Sequence, residues 1–341
     1  MITVYSEKHL LRNPRTELYG GELVAPHECA RRAEFVLERV NATGLGEVIP
    51  PREFGLDPVL RVHDAQFIDF LSSAWNDWRA AGNRGEAIPD CWPARRMTQR
   101  RPESITGKLG YYAMAAETSI SAGTWEAARA SADVALTAAA RLNGGDRGAF
   151  ALCRPPGHHA ARDLYGGYCF LNNAAIAAQY LRDHGAKRVA ILDVDFHHGN
   201  GTQDIFYGRA DVLYSSIHGD PREAFPYFAG YADETGEGDG RGYNQNLPLP
   251  RGTNFDAWRA ALGIALERVD RFAPGALVVS LGVDTFENDP ISFFKLRAAD
   301  FTSYGRLIAA LRIPTLFVLE GGYAVQEIGV NAVNVLQGFE A

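Results

Sequence analysis

From residue 150 onward, five short apolar runs recur: Phe150–Cys153, Val189–Val194, Val212–Ile217, Ala276–Leu281 and Thr315–Leu319. Each is rich in Val, Ile, Leu or Phe, without clean alternation of apolar and polar positions. Strands covered on both faces have this pattern, so the runs predict a parallel sheet sandwiched between helices. Between the runs the apolar spacing becomes helical. Trp125–Leu142 is alanine-rich, follows Thr124 as a candidate N-cap and precedes Gly144–Gly145. Ala174–His184 stops at Gly185, and Asp256–Phe272 and Thr302–Leu311 stop before Pro274 and Pro314. Alternating strand and helix predicts a three-layer, doubly wound α/β fold with a mostly parallel sheet flanked by helices.

One stretch breaks the pattern. Ala80–Gly107 holds Pro89, Pro93 and Pro102, the cluster Arg95, Arg96, Arg100 and Arg101, and little periodicity. A loop of that length is uncommon inside a compact domain unless it has a purpose. The expected organisation is one domain over 1–341 with an insertion at about 80–107. The insertion is expected to be solvated, to form an oligomer contact, or to wall an active site.

Charge and cysteine content narrow the function classes. Lys plus Arg number 34 against 41 Asp plus Glu, a net charge of −7. That balance argues against nucleic acid and favours cationic partners. Four cysteines, none in a C-x-x-C pair, argue against a disulfide scaffold or an all-cysteine zinc site. Met1–Gly20 has no apolar signal region, and no run of 18 apolar residues offers a membrane span. The expected home is a reducing cytoplasm.

The chemistry gathers at strand ends. Val189–Val194 runs into Asp193-Val-Asp195-Phe-His197-His198-Gly-Asn200-Gly201. A period of two places Asp193, Asp195 and His197 on one side. Two carboxylates and an imidazole would be costly buried unpaired, and a divalent cation removes that cost. His198 to Gln203 include no Lys or Arg that would make a salt-bridge network instead. Ala276–Leu281 leads to Gly282-Val-Asp284-Thr285, so Asp284 completes a set with Asp195 and His197. Three protein ligands leave a position open, as in catalytic rather than structural zinc. The set also accepts ferrous iron.

After Phe150–Cys153 comes Arg154-Pro-Pro-Gly-His158-His159. The prolines and glycine bend the chain, and tandem histidines there fit acid–base work on a water activated by the metal. Asp193 is a candidate partner for one imidazole and Asn200 for the other. Thr315–Leu319 leads to Glu320-Gly-Gly-Tyr323, whose phenol can donate to a developing oxyanion. Gly166-Gly167-Tyr168 offers a second such turn, with Tyr168 as a tunnel wall.

These segments together resemble the zinc-dependent deacetylase family, which includes the histone deacetylases, and within it the acetylpolyamine amidohydrolases. The resemblance runs from Asn13-Pro-Arg-Thr-Glu17-Leu-Tyr-Gly-Gly through Phe-Leu-Asn-Asn, Ile-His218-Gly-Asp and Asp-Pro-Ile-Ser-Phe-Phe-Lys to Glu-Gly-Gly-Tyr. It implies the arginase–deacetylase fold, with Asp195, His197 and Asp284 as metal ligands. It implies His158 and His159 beside the water, His159 as the proton shuttle, and Tyr323 as the carbonyl polariser. It implies an inner potassium site at Asp193, Asp195, His197, Ser216 and Ile217, and an outer one including Phe206, Val212 and Tyr243. It implies that Glu17, Gly167, Tyr168 and Phe225 meet substrate, Glu17 at the distal ammonium. In polyamine-active relatives the 80–107 insertion makes a homodimer and narrows the tunnel. Two departures stand out: Asn200 replaces an Asp, which lowers the basicity of His159, and Ile105-Thr106-Gly107 lacks an acidic residue, although Glu103 is near.

The expected reaction is hydrolysis of an N-acetyl amide on a slender cationic chain, giving acetate and a free polyamine. The alternatives weighed are an acetyl-lysine protein deacetylase on the same fold, a manganese ureohydrolase, and a non-catalytic sensor of acetylated amines. The second needs a further bridging carboxylate, where Thr285 and Phe286 stand.

Overall fold

The five apolar runs form the body of an eight-stranded sheet. The computed structural model describes residues 1–341. Its strands are β1 (Ile2–Val4), β2 (Glu17–Tyr19), β3 (Glu22–Val24), β4 (Val48–Ile49), β5 (Gly148–Ala151), β6 (Val189–Asp193), β7 (Val212–Gly219), β8 (Asn244–Leu249), β9 (Ala276–Leu281) and β10 (Thr315–Leu319). Its α-helices are α1 (Ala30–Thr43), α2 (Asp57–Leu60), α3 (Ala65–Ala80), α4 (Ile105–Tyr112), α5 (Thr124–Asn143), α6 (Asn173–Asp183), α7 (Asn200–Phe206), α8 (Phe255–Phe272), α9 (Ala298–Ala309) and α10 (Ile328–Glu340).

The sheet order is β4-β1-β5-β10-β9-β6-β7-β8, and every neighbouring pair is parallel. β2 and β3 form a separate antiparallel hairpin, turned by Gly20 and Gly21, both with positive φ. Alternate residues of each central strand feed two different cores. Leu316 and Val318 of β10 pack on the side of α5 and α6, with Val189 and Ile191 of β6. Phe317 and Leu319, with Ala190 and Leu192, pack on the side of α1, α8, α9 and α10. The sheet is therefore apolar on both faces, which is why its runs do not alternate.

Several boundaries differ from the sequence expectation. β5 spans Gly148–Ala151 rather than Phe150–Cys153. α9 starts four residues early, at Ala298, because the Asp300 carboxylate accepts the Arg297 N–H at 2.7 Å and closes the first turn. Thr124 is not an N-cap. It is the first residue of α5, behind Gly123 at φ +75°, and its hydroxyl instead accepts from Ser121 N at 3.0 Å.

The irregular stretch is shorter than expected at both ends, since Ala80 closes α3 and Gly107 lies within α4. It is pinned to α4 by Arg101, whose Nε donates to the Tyr112 hydroxyl at 2.7 Å, and by Trp92, whose Nε1 donates to the Ala113 carbonyl at 2.9 Å. No helix is long and apolar enough to cross a membrane.

Candidate active site

The four central strands β5, β10, β9 and β6 lie side by side, and each delivers one chemical segment from its carboxyl end. Open α/β sheets bind their ligands at that edge. β6 stops at Asp193, so the period-two argument no longer governs Asp195 and His197. A tight turn brings them together instead. The His197 N–H donates to Asp195 Oδ1 at 2.8 Å, and Asp195 N donates to Asp193 Oδ1 at 3.2 Å.

Asp195, His197 and Asp284 converge, with one ligand atom of each within 4.8 Å of the others. His197 Nδ1 lies 2.9 Å from Asp284 Oδ2 and 3.4 Å from Asp195 Oδ1. Both carboxylates are fully buried, and neither meets an Arg or Lys. Their remaining partners are backbone N–H groups: Gly321 on Asp195 at 2.7 Å and Phe196 on Asp284 at 2.7 Å. Glycine is required at 321, because a Cβ there would lie 2.5 Å from an oxygen of both Asp195 and Asp284. Burial and the charge of Asp195 both push Asp284 up. Burial also opposes the charge of Asp195, but His158 and His197 outweigh it. Two buried carboxylates and an imidazole, without a cationic side chain, are the donor set that a divalent cation satisfies. The structure gathers one such triad, and Thr285 and Phe286 add no bridging carboxylate to it.

The tandem histidines stand beside the triad, ring centroids 4.1 Å apart. His158 Nδ1 meets Asp193 Oδ2 at 3.1 Å, and His159 Nδ1 meets Asn200 Oδ1 at 2.7 Å. The two environments separate their basicities. Burial opposes the charge of His158, but Asp195 and Asp193 outweigh it and push the imidazole up to about 10. Burial lowers His159, and the neighbouring His158 and His197 lower it further, against only a neutral amide in support. A dication among the carboxylates would compensate their charge and draw His158 back down. The histidine loop is fixed from behind by Glu320, whose Oε2 accepts from Gly157 N at 2.6 Å and His158 N at 3.1 Å.

Tyr323 faces the same centre. Burial holds its phenol protonated, so it remains a donor. Arg32 sits over its ring at 4.8 Å and donates to the carbonyls of Gly322 and Glu320, at 2.6 and 2.5 Å. A cavity of about 500 Å³ opens above these groups. His159, His197 and Tyr323 are at its floor, and Gly167, Tyr168 and Phe225 are among its walls. The Phe225 ring stands edge-on to His159 at 5.0 Å, and the Tyr168 ring lies 5.5 Å from Tyr323.

Glu17 does not line this cavity, contrary to expectation. It is 2% exposed, and its Oε1 accepts the Tyr168 hydroxyl at 3.1 Å while Oε2 accepts the His27 N–H at 3.1 Å. Burial pushes its carboxyl up to about 7. It braces the back of Tyr168, which occupies left-handed backbone at φ +66°. One carboxylate in the cavity wall is Glu117, which also accepts the Gly167 N–H at 2.7 Å. Glu117 lies in a segment with no periodicity, so nothing in the sequence singled it out. Glu223 also reaches the rim, paired with Arg251 at 3.1 Å. No residue of 80–107 reaches the chain's own cavity, so the insertion does not wall it in cis.

Of the residues implied for potassium, Asp193 and Ser216 are paired in register across β6 and β7, with Ile217 next along β7. Phe206 closes α7 and Val212 opens β7. The Tyr243 carbonyl accepts from Tyr214 N at 3.0 Å.

Residues 26–339 match the histone deacetylase domain family. Over 340 residues the chain is 57% identical to acetylpolyamine amidohydrolase 2 of Pseudomonas aeruginosa, covering 100% of this chain and 99% of that one. It is 57% identical to the acetylpolyamine amidohydrolase of Mycoplana ramosa, covering 99% of each. The crystal structure of acetylpolyamine aminohydrolase from Burkholderia pseudomallei superposes with a TM-score of 0.95 at 42% identity, covering 100% of this chain and 99% of that one.

Proposed function

Because this chain belongs to the histone deacetylase family, a family of hydrolases acting on acetylated amines, we propose that it cleaves the N-acetyl amide of acetylated polyamines, giving acetate and the free amine. The observation that carries this reading is the cavity itself. A floor of two imidazoles, His159 and the triad's His197, and the Tyr323 phenol lies below aromatic walls, with the Glu117 carboxylate set among them and Glu223 at the rim already paired with Arg251. Aromatic faces suit a methylene chain, and a carboxylate suits its ammonium.

A divalent cation, zinc or ferrous iron, held by Asp195, His197 and Asp284 would supply a Lewis acid for the acetyl carbonyl and acidify a water beside it. The rest is done by the chain. The His159 Nδ1–H donates to Asn200, which leaves Nε2 as the lone pair that takes the water's proton. The weak basicity of His159 suits the second half of the reaction, because it returns that proton to the leaving nitrogen. His158, held by Asp193 and with its ring 4.1 Å from that of His159, assists in taking the water's proton. Tyr323 donates to that oxyanion from the other side. Tyr168, Phe225 and Gly167 align the methylene chain.

Three further parts of this reading rest on resemblance and position. Potassium ions would bind at Asp193, Asp195, His197, Ser216 and Ile217, and near Phe206, Val212 and Tyr243. Residues 80–107 would form a homodimer and reach the partner's cavity, since they leave their own untouched and expose Met97. All four cysteines are free thiols, which fits the cytoplasm.

The test is a comparison of kcat/KM for metal-loaded protein on acetylputrescine, acetylspermidines and an acetyl-lysine peptide. Higher kcat/KM on the small acetylated amines is expected. Preference for the peptide would replace this reading with a protein deacetylase.

A further inference from the structure

Asp289-Pro-Ile-Ser-Phe-Phe-Lys295 is a prominent motif that the reaction above leaves without a part. Pro290, Ile291, Ser292 and Phe293 line the cavity, but Asp289 turns away from it. It is 7% exposed, and no Arg or Lys pairs with it. Its carboxylate is spent on three backbone N–H groups. Oδ2 accepts from Tyr323 at 2.7 Å and from Ala324 at 3.3 Å, and Oδ1 accepts from Ile291 at 3.1 Å. A buried carboxylate is costly, so placing one here needs a return in fixed geometry.

The segment it grips is intrinsically loose. Gly321-Gly322 precede Tyr323, and Gly322 sits at φ +135°, where a side chain would be strained. Arg32 holds the Glu320 and Gly322 carbonyls, and Asp195 holds the Gly321 N–H. Those backbone hydrogen bonds end at Gly322; Arg32 and Tyr168 then meet only the Tyr323 ring. We propose that Asp289 is a positioning residue for the hydrolysis: it clamps the peptide groups on both sides of the Tyr323 Cα, so that the phenol stays aimed at the acetyl carbonyl. The same motif builds the cavity rim from Pro290 to Phe293, so the clamp also ties the oxyanion donor to the wall that receives substrate.

This inference rests on the proposed amide hydrolysis, and the experiment separates the two. Asp289→Asn is compared with the parent on acetylputrescine, with metal content and thermal midpoint measured alongside. The expected result is a kcat reduced about tenfold to a hundredfold, the scale of a small misplacement of a reacting group. KM and metal content should stay within about twofold. Hydrogen–deuterium exchange of the peptide spanning Tyr323 and Ala324 should quicken. In a Tyr323→Phe background, Asp289→Asn should add little, because the group it aims is gone. If the two losses multiply instead, or exchange at Tyr323 is unchanged, the clamp is overturned. If the parent shows no turnover, the functional reading fails, while the exchange measurement still judges the clamp. Should Asp289→Asn fail to fold, Asp289→Glu carries the same comparison with the charge retained.

Discussion

His159 is set by its neighbours more than by itself. A neutral amide stands behind it, two imidazoles stand beside it, and burial lowers it. Asn200→Asp puts a negative charge against Nδ1 and raises the pKa of His159. A general base must be unprotonated to act, so the acid limb of the kcat/KM profile should move to higher pH in that variant. An unmoved limb would assign the limb to another group. Tyr323→Phe removes one oxyanion donor and should lower kcat by about 10²–10³ while leaving the bound metal in place. Metal analysis beside steady-state kinetics checks both halves of that statement.

Residues were legible where the chain itself groups them. Asp195 and His197 are two apart, and Asp284 follows a strong apolar run, so strand-end logic was enough to gather the triad. Direction was not legible. Glu17 sits next to cavity residues in sequence, yet its carboxylate turns inward to Tyr168, and only packing decides that. Glu117 faces the cavity from a stretch with no pattern at all.

At the scale of elements, the hairpin of β2 and β3 is tied to the cavity through the Glu17–Tyr168 hydrogen bond. The Glu17 carboxyl lies near 7 in the folded chain against an ordinary 4.5. The folded state therefore holds a proton that the unfolded state releases, and its contribution to stability falls as pH rises between those values. Glu17→Gln abolishes that ionisation. Its thermal midpoint should vary less between about pH 5 and 7 than the parent's, as a calorimetric series would show. The strands β1, β4 and β8 escaped the sequence reading for physical reasons. The first two are three and two residues long. β8 reads Asn-Gln-Asn-Leu-Pro-Leu, because an edge strand with one neighbour needs no continuous apolar run. The central strands are buried on both faces and so were plain.

Across the whole molecule, the metal and the insertion have the widest reach. A cation bound only by the folded chain stabilises it by about 4 kcal/mol at a thousandfold excess over Kd. Chelation should lower the thermal midpoint, and zinc should restore it; an unchanged midpoint would mean that the triad holds no ion. If the insertion makes the proposed dimer, deleting the exposed residues 94–100 should yield a monomer in sedimentation while leaving the buried Ala87 in the core. A monomeric parent would remove the insertion from the assembly.

β10, the last strand in chain order, lies between β5 and β9 in the middle of the sheet. Until it arrives, the strands on either side have no common seam, and the histidine loop stands apart from the carboxylates. During synthesis the site would stay unassembled until β10 has left the ribosome. A message cut short before that segment would yield two unjoined half-sheets with raw edges, material for quality control rather than a slower catalyst.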